Sequence, residues 1–238
     1  MANDTLGEVR QNTGLLSYRK PPLHMIRRLW STTLDLLYPP RCGVCNRIDT
    51  HLCPRCAALL AEHQPIIYQN TSEFLSAVCA TAIHQGAVRD AVLALKQDSH
   101  ESLVAALGER LLFAFKQLSW PVTCIVPVPL HAGRIRERGY NQSALLASYL
   151  GALTGLPVML RALSRVRDTG HQVGLSGNQR RMNVQSAFMG DPSLISNHEV
   201  LLIDDVFTTG ATLQASAEAL LKAGAAQAFG LTVTAAAL

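Results

Sequence analysis

The sequence predicts an α/β protein, a parallel sheet covered by helices on both faces, preceded by a small four-cysteine metal module. Three observations predict it. Short, continuously apolar runs such as Val122 to Val128 and Val200 to Ile203 alternate with segments of helical periodicity. Four of the six cysteines crowd between Cys42 and Cys56. The 238 residues are 48% hydrophobic and 16% charged, enough apolar material for a sizeable core and too little charge for a disordered chain.

Taken in order, residues 1–21 lack periodicity and read as a mobile leader, so that Met25 is a plausible natural start. The leader has no apolar stretch of the kind a secretory signal needs, and the expected location is cytoplasmic. Ile26, Leu29, Trp30, Leu34 and Leu37 recur at helical spacing until Pro39 and Pro40, predicting an amphipathic helix. The cysteine module spans about 41–63, and Pro65 opens a linker. Residues 77–83 then read as a strand, 87–96 and 103–118 as helices, 122–128 as a strand and 141–154 as a helix. A basic, loop-rich stretch covers 162–183. The chain ends with a strand at 200–203, a Gly/Thr turn, a helix at 213–223 and a strand at 229–234. The expected division is a leader (1–21), a helix with the metal module (22–65) and an α/β domain (66–238). No run approaches the ~18 apolar residues of a membrane crossing, so no membrane insertion is expected.

Charge is unevenly spread. Residues 1–60 hold eight Lys or Arg against four Asp or Glu, while the remainder is balanced at thirteen of each. Between Arg134 and Arg181 eight arginines face only Glu137 and Asp168, a stretch suited either to a polyanion or to plain solvation.

Cys42-Gly43-Val44-Cys45 and Cys53-Pro54-Arg55-Cys56 form two CxxC knuckles seven residues apart. Four thiolates can close a tetrahedron around Zn2+, and a closed site leaves no position for substrate, so the expected role is structural. A pair of redox dithiols would need a thioredoxin-like context that is missing. His51 reads as a surface histidine, Cys79 and Cys124 as core thiols.

In Val200 to Thr212 an apolar strand delivers Asp204 and Asp205 at its C-terminal end, and a hydroxyl-rich turn opens a helix. Ligands of open α/β sheets bind at that edge. Thr208, Thr209 and Thr212, with the backbone N–H groups of Gly210 and Ala211, can hold a phosphate monoester on the positive end of the helix dipole. The two acids can accept from vicinal ribose hydroxyls or reach a Mg2+-bound ligand. A Mg2+ phosphatase needs other spacing, and a triphosphate site would need the missing GxxxxGK[ST] loop.

These thirteen residues resemble the 5-phosphoribosyl-1-diphosphate (PRPP) motif of type I phosphoribosyltransferases. Further elements are similar to one branch, the ComF family of competence-associated proteins. They are Leu37-Tyr38-Pro39-Pro40 before the knuckles, Leu95-Lys96, Val126 to Leu130, Arg138-Gly139-Tyr140-Asn141-Gln142, Thr169 to Leu175, Arg180 and Asn183. The resemblance covers about residues 34–235. It implies a Rossmann-like phosphoribosyltransferase core behind a zinc module. The 5-phosphate would bind Thr208 to Thr212, and Asp204 and Asp205 would hold the ribose diol. The diphosphate loop would follow Pro129 and Leu130, where a cis Val128-Pro129 bond could replace the non-proline cis peptide of many type I enzymes. Arg134, Arg136 and Arg138 flank that loop, and Arg180 would close as a lid.

The implied reaction is displacement of diphosphate from ribose C1, with Mg2+ and arginines stabilising the leaving group. Purine salvage enzymes with this motif carry an acid where Thr208 stands. Threonine is no base at neutral pH, so an amine or an anionic acceptor fits better than a purine. The family also implies a role in DNA uptake, to which Arg27, Arg28, Arg41, Arg47 and Arg55 could contribute a basic face for single-stranded DNA. Competing expectations are a non-catalytic PRPP-sensing adaptor for a helicase or other DNA-processing protein, and a nucleotide-salvage enzyme.

Overall fold

A computed structural model describes residues 39–62, 64–69, 73–97, 99–166 and 187–237. The expected leader, the helix at 23–37 and the Thr169 to Asn183 stretch with Arg180 lie outside the described residues. Along the chain come α1 (Pro54–Ala61), β1 (Ile66–Gln69), β2 (Ala77–Ala80), α2 (Gly86–Leu95), α3 (Glu101–Lys116) and β3 (Cys124–Pro127). Then follow α4 (Ala132–Arg138), α5 (Gln142–Thr154), β4 (Leu163–Arg165), β5 (Phe188–Gly190), α6 (Pro192–Ile195), β6 (Glu199–Phe207), α7 (Ala211–Lys222) and β7 (Gln227–Ala235).

One sheet has the order β1-β2-β7-β6-β3. β2, β7, β6 and β3 run parallel, and β1 is added antiparallel at the edge. β4 and β5 form a separate antiparallel pair. Strand periodicity sorts the core into two faces. Val200 and Leu202 pack with Val78, Val126, Leu213 and Leu220 on one side, while Leu201 and Ile203 pack with Leu107, Leu111, Leu146 and Leu150 on the other. Residues buried on both faces explain the unbroken apolar runs in the sequence.

The expected elements appear with shifted ends. β6 continues through both acids to Phe207 because β7 offers ladder partners that far, Asp204 opposite Thr232 and Phe207 opposite Ala235. The span after Pro65, expected to be a linker, contains β1, whose alternating burial is that of an edge strand. α4 had no apolar signal because none of its residues is buried. It starts where His131 accepts from Gly133 N–H and stops at left-handed Gly139, φ 85°. The peptide bonds are all trans among the described residues, so the Val128–Pro129 bond is trans and not cis. Asn141 ties the end of β3 to the start of α5, its Nδ2 donating to Val128 O at 3.0 Å while its Oδ1 caps α5.

The cysteine module packs directly on the α/β core. A Cβ on Gly43 would lie 2.7 Å from Ala94 Cβ and 3.0 Å from Leu103 Cδ1, so glycine is what lets the first knuckle touch α2 and α3. Leu60 of α1 is buried with the α3 and α5 side chains. Arg110, 1% exposed, reaches back from α3 to bind Leu60 O and Glu62 O at 2.5 Å each and Thr81 O at 3.0 Å, with Nε on Thr81 Oγ1 at 3.1 Å. Burial lowers its pKa to about 10, so it stays protonated at neutral pH. Replacing it strands three carbonyls and leaves the Thr81 hydroxyl with only its bond to Val233 O. Arg110→Ala is expected to cost about 3 kcal/mol in chemical denaturation, and Arg110→Lys to recover little of it because an ammonium cannot span the same acceptors.

Candidate functional site

β6 ends at the C-terminal edge of the sheet, and it carries Asp204 and Asp205 there. Successive residues point to opposite faces. Asp205 is buried, 6% exposed, and receives Lys96 Nζ at 3.2 Å and Gln142 Nε2 at 2.8 Å on the same Oδ2. Asp204 is half-buried, with its Oδ1 accepting from Ser143 Oγ at 3.1 Å and from Asp205 N–H at 2.9 Å. Arg138 donates to Gln142 Oε1, so its charge reaches the acid pair through an amide relay. Three separate elements thus meet the acids, namely the end of α2 with Lys96, the first turn of α5 with Gln142 and Ser143, and the end of α4 with Arg138.

The relay is braced from behind. Tyr140 Oη donates to Leu95 O at 2.6 Å, joining the α4–α5 junction to the last turn of α2 next to Lys96. Burial and the neighbouring Asp205 charge raise the Asp204 pKa to about 7, against the opposing pull of the Asp205 N–H, Ser143 and Lys96.

After Phe207 the chain turns through Thr208, exposed, and Thr209, half-buried. Gly210 has φ 75°, and a Cβ there would lie 2.8 Å from the Phe207 ring, so both backbone and space require glycine. It is the N-cap of α7 and has no side chain to offer that helix, so the Ala211 N–H meets only the distant Thr209 Oγ1, at 3.5 Å, and the first turn opens at the edge. The turn encloses only about 10 Å3 and has an open mouth. A larger hollow of about 450 Å3 lies between the first knuckle and α2 and contains neither acid.

Of the residues expected from the sequence, Asp204, Asp205, Thr208, Thr209, Gly210, Ala211 and Thr212 share this edge, and Arg138 joins it through Gln142. Pro129 and Leu130 follow β3 and are half-buried. Arg134 pairs with Glu137 at 3.1 Å on the surface of α4. Arg180 lies outside the described residues. Sequence reasoning missed Gln142 and Ser143 as partners of the acids, Lys96 as their counter-ion, and His84. His84 stands just past the C-terminal end of a strand and Gln142 and Ser143 open a helix at the same edge, positions that face ligands in this fold class, whereas Lys96 reaches the acids from the end of α2 and carries no such signal.

The four cysteines form the second constellation. Their Sγ atoms all lie within 4.8 Å of one another. A tetrahedral zinc with Zn–S of about 2.3 Å has S···S edges of about 3.8 Å, and Cys45 and Cys53 are 3.7 Å apart. Burial opposes ionisation of Cys42, but the backbone N–H groups of Cys53, Cys45 and Val44 outweigh it and bring the thiol to about 6. The Cys56 N–H likewise lowers Cys53, whereas burial raises Cys56. Asn46 takes the left-handed turn after the first knuckle, φ 59°. This donor set fits a zinc ion. His51 is not a free surface side chain, since it stacks on His100 with ring centroids 3.3 Å apart. Cys79 and Cys124 are fully buried core thiols, both raised to about 11 by burial.

Residues 132–238 match the family described as phosphoribosyl transferase domain. The chain is 31% identical over 192 residues to DNA utilization protein YhgH of Salmonella typhi, covering 79% of each chain. It is 40% identical over 113 residues to competence protein F of Haemophilus influenzae, 45% of this chain and 48% of that one. Competence protein ComFC of Bacillus subtilis is 32% identical over 102 residues, 43% of this chain and 40% of that one. The chain thus spans about half the length of competence protein F and more than three quarters of YhgH.

The raised Asp204 pKa fixes a sign for stability. The folded state holds a proton here that the unfolded chain releases near pH 4, so this residue's contribution falls as pH rises from about 4 to about 7. Asp204→Asn is expected to melt higher than the unsubstituted protein at pH 7.5, with the difference closing toward pH 4 in a thermal-shift series. A pH-independent difference refutes the assignment.

Proposed function

This chain belongs to the ComF family of phosphoribosyltransferase-like proteins, and from that premise we propose that it binds PRPP and transfers its ribose 5-phosphate with loss of diphosphate. The supporting observation is the edge of β6, where an acid pair, a helix N-terminus opened by Gly210 and a hydroxyl turn stand side by side. Asp204 and Asp205 accept from the ribose diol. Ala211 and Thr212 N–H with the Thr208, Thr209 and Thr212 hydroxyls hold the 5-phosphate. The loop of Pro129 and Leu130, with Arg138 and the nearby Arg134, faces the diphosphate, and the family resemblance assigns Arg180, outside the described residues, to the same ligand. Mg2+ supplies charge neutralisation to the diphosphate when bound. Lys96 and Arg138 already supply positive charge to this edge, and Gln142 holds the Asp205 carboxylate in place.

The transferase unit is residues 66–238. Its metal module carries structural zinc on Cys42, Cys45, Cys53 and Cys56, where metal bonds replace the core that so short a segment lacks. Relatives named for competence and DNA utilization support a role in handling DNA, with single-stranded DNA or a DNA-processing partner meeting the basic residues Arg41, Arg47 and Arg55 around the knuckles. No helix among the described residues is long and apolar enough to cross a membrane.

Two measurements test this reading. Asp204→Asn/Asp205→Asn is expected to weaken calorimetric binding of Mg-PRPP by about tenfold or more, the loss of a few charge-assisted hydrogen bonds, without unfolding the domain. Unchanged affinity removes the acid pair from the site. Cys42→Ser is expected to lose the one bound zinc per chain and lower the melting temperature, and retention of a full equivalent of metal rejects the four-thiolate site.

A further inference from the structure

We propose that His84 is the proton acceptor for the incoming nucleophile, an inference that rests on the transferase function proposed above. His84 sits one residue beyond Ile83, which bridges in parallel to Ala235, and Ala235 in turn pairs with Phe207 of β6. It therefore stands on the same sheet edge as the acids. Its backbone N–H is fixed on Ala235 O at 2.6 Å, and its ring leans over β7 to place Nδ1 2.8 Å from Thr234 Oγ1.

The hydrogen-bond chain accommodates the tautomer that a base needs. Thr234 Oγ1 has the Asp205 carbonyl within reach at 3.4 Å as an acceptor for its own proton. With its proton there, Thr234 accepts from His84 Nδ1–H. That leaves Nε2 as a bare lone pair, the arrangement by which a histidine serves as a base.

Position agrees with the direction of attack. In the order β2-β7-β6-β3, the loop that faces the diphosphate follows β3, on one flank of the acid pair. His84 follows β2, on the opposite flank. A displacement at ribose C1 needs the nucleophile opposite the leaving group, so the acceptor enters from the His84 side. The nucleophile's lone pair forms the bond to C1, the C1–O bond breaks with its electrons on diphosphate, and the nucleophile's proton passes to Nε2 and then to solvent. The turn after β6 offers only threonine at Thr208 and no base of its own.

The groups facing the ring are Arg89 and Asp90 of α2, Lys96 at its end and Asp205 of β6. Burial, then the Lys96 and Arg89 charges, lower the His84 pKa below its ordinary value against the weaker pull of the two acids, so the ring is neutral at pH 7.

The test uses the full chain with Mg-PRPP and a panel of small amines and anionic bases, reading diphosphate release. His84→Phe, which keeps an aromatic ring, is expected to lower release at least 100-fold and to lose the acid limb of the pH profile, while calorimetric affinity for Mg-PRPP changes less than threefold. Nitrogen-15 NMR of the unsubstituted protein at pH 7 is expected to show the neutral ring protonated on Nδ1. Release that is equal in the two proteins, including none from either, or a ring protonated on Nε2, overturns the role of His84. Loss of Mg-PRPP binding by the unsubstituted protein instead overturns the transferase function itself.

Discussion

Two carboxylates on consecutive residues at the end of a buried strand set the terms for everything around them. Their mutual repulsion grows as water is excluded, so each needs a partner of its own. Asp205 obtains a cation and an amide, Lys96 and Gln142; Asp204 obtains a hydroxyl and a backbone N–H and still ionises reluctantly. These partners come from elements far apart in sequence. Meeting the acids fixes where α2 ends and where α5 begins. Such an arrangement is poor for stability, and under the proposed function the hydroxyls of a ribose would add donors to it.

The metal module connects to that same requirement through packing. Gly43 seats the first knuckle on Ala94, two residues before Lys96, and Tyr140 holds the carbonyl of Leu95 from the other side. The last turn of α2 is thus gripped between the knuckle and the α4–α5 junction. Arg110 fastens the end of α1 to the end of β2 with a single buried guanidinium, which only a planar fork with several donors can do. A segment too small for its own core thereby becomes part of the wall behind the acids.

The fold was legible where burial is two-sided. Val200 to Ile203 and Cys124 to Val128 have no polar face, and that alone assigned them to the middle of a parallel sheet. The acids and the Thr208 to Thr212 turn were legible as a pattern, an apolar strand ending in two acids before a hydroxyl-rich turn, and the fold brings them to one sheet edge. β1 was not, since an edge strand next to a proline carries half the signal. α4 was not, since a helix with no buried residue has no periodicity to read. Gln142, Ser143 and Lys96 are ordinary polar residues whose meaning comes only from which strand end they face. The isomer of the Val128–Pro129 bond was not legible, since proline admits both; the bond is trans, and Asn141 ties the Val128 carbonyl to the start of α5.

Thr208 and His84 belong to one account of how this edge works. When the turn after a central strand carries an acid, binding and proton transfer share one loop. With threonine there, the transfer proposed for this chain requires its proton to leave by another route. The sheet order allows just two flanks, and the β3 flank already has Arg138 and the loop of Pro129, whose positive charge suits a leaving anion and would repel a protonated base. The β2 flank carries a histidine whose Nδ1 is engaged by Thr234, and Thr234 touches the backbone of Asp205 itself. Separating the two tasks onto opposite flanks keeps the base close to the acids without adding a third carboxylate to a pair that the surrounding protein can barely neutralise.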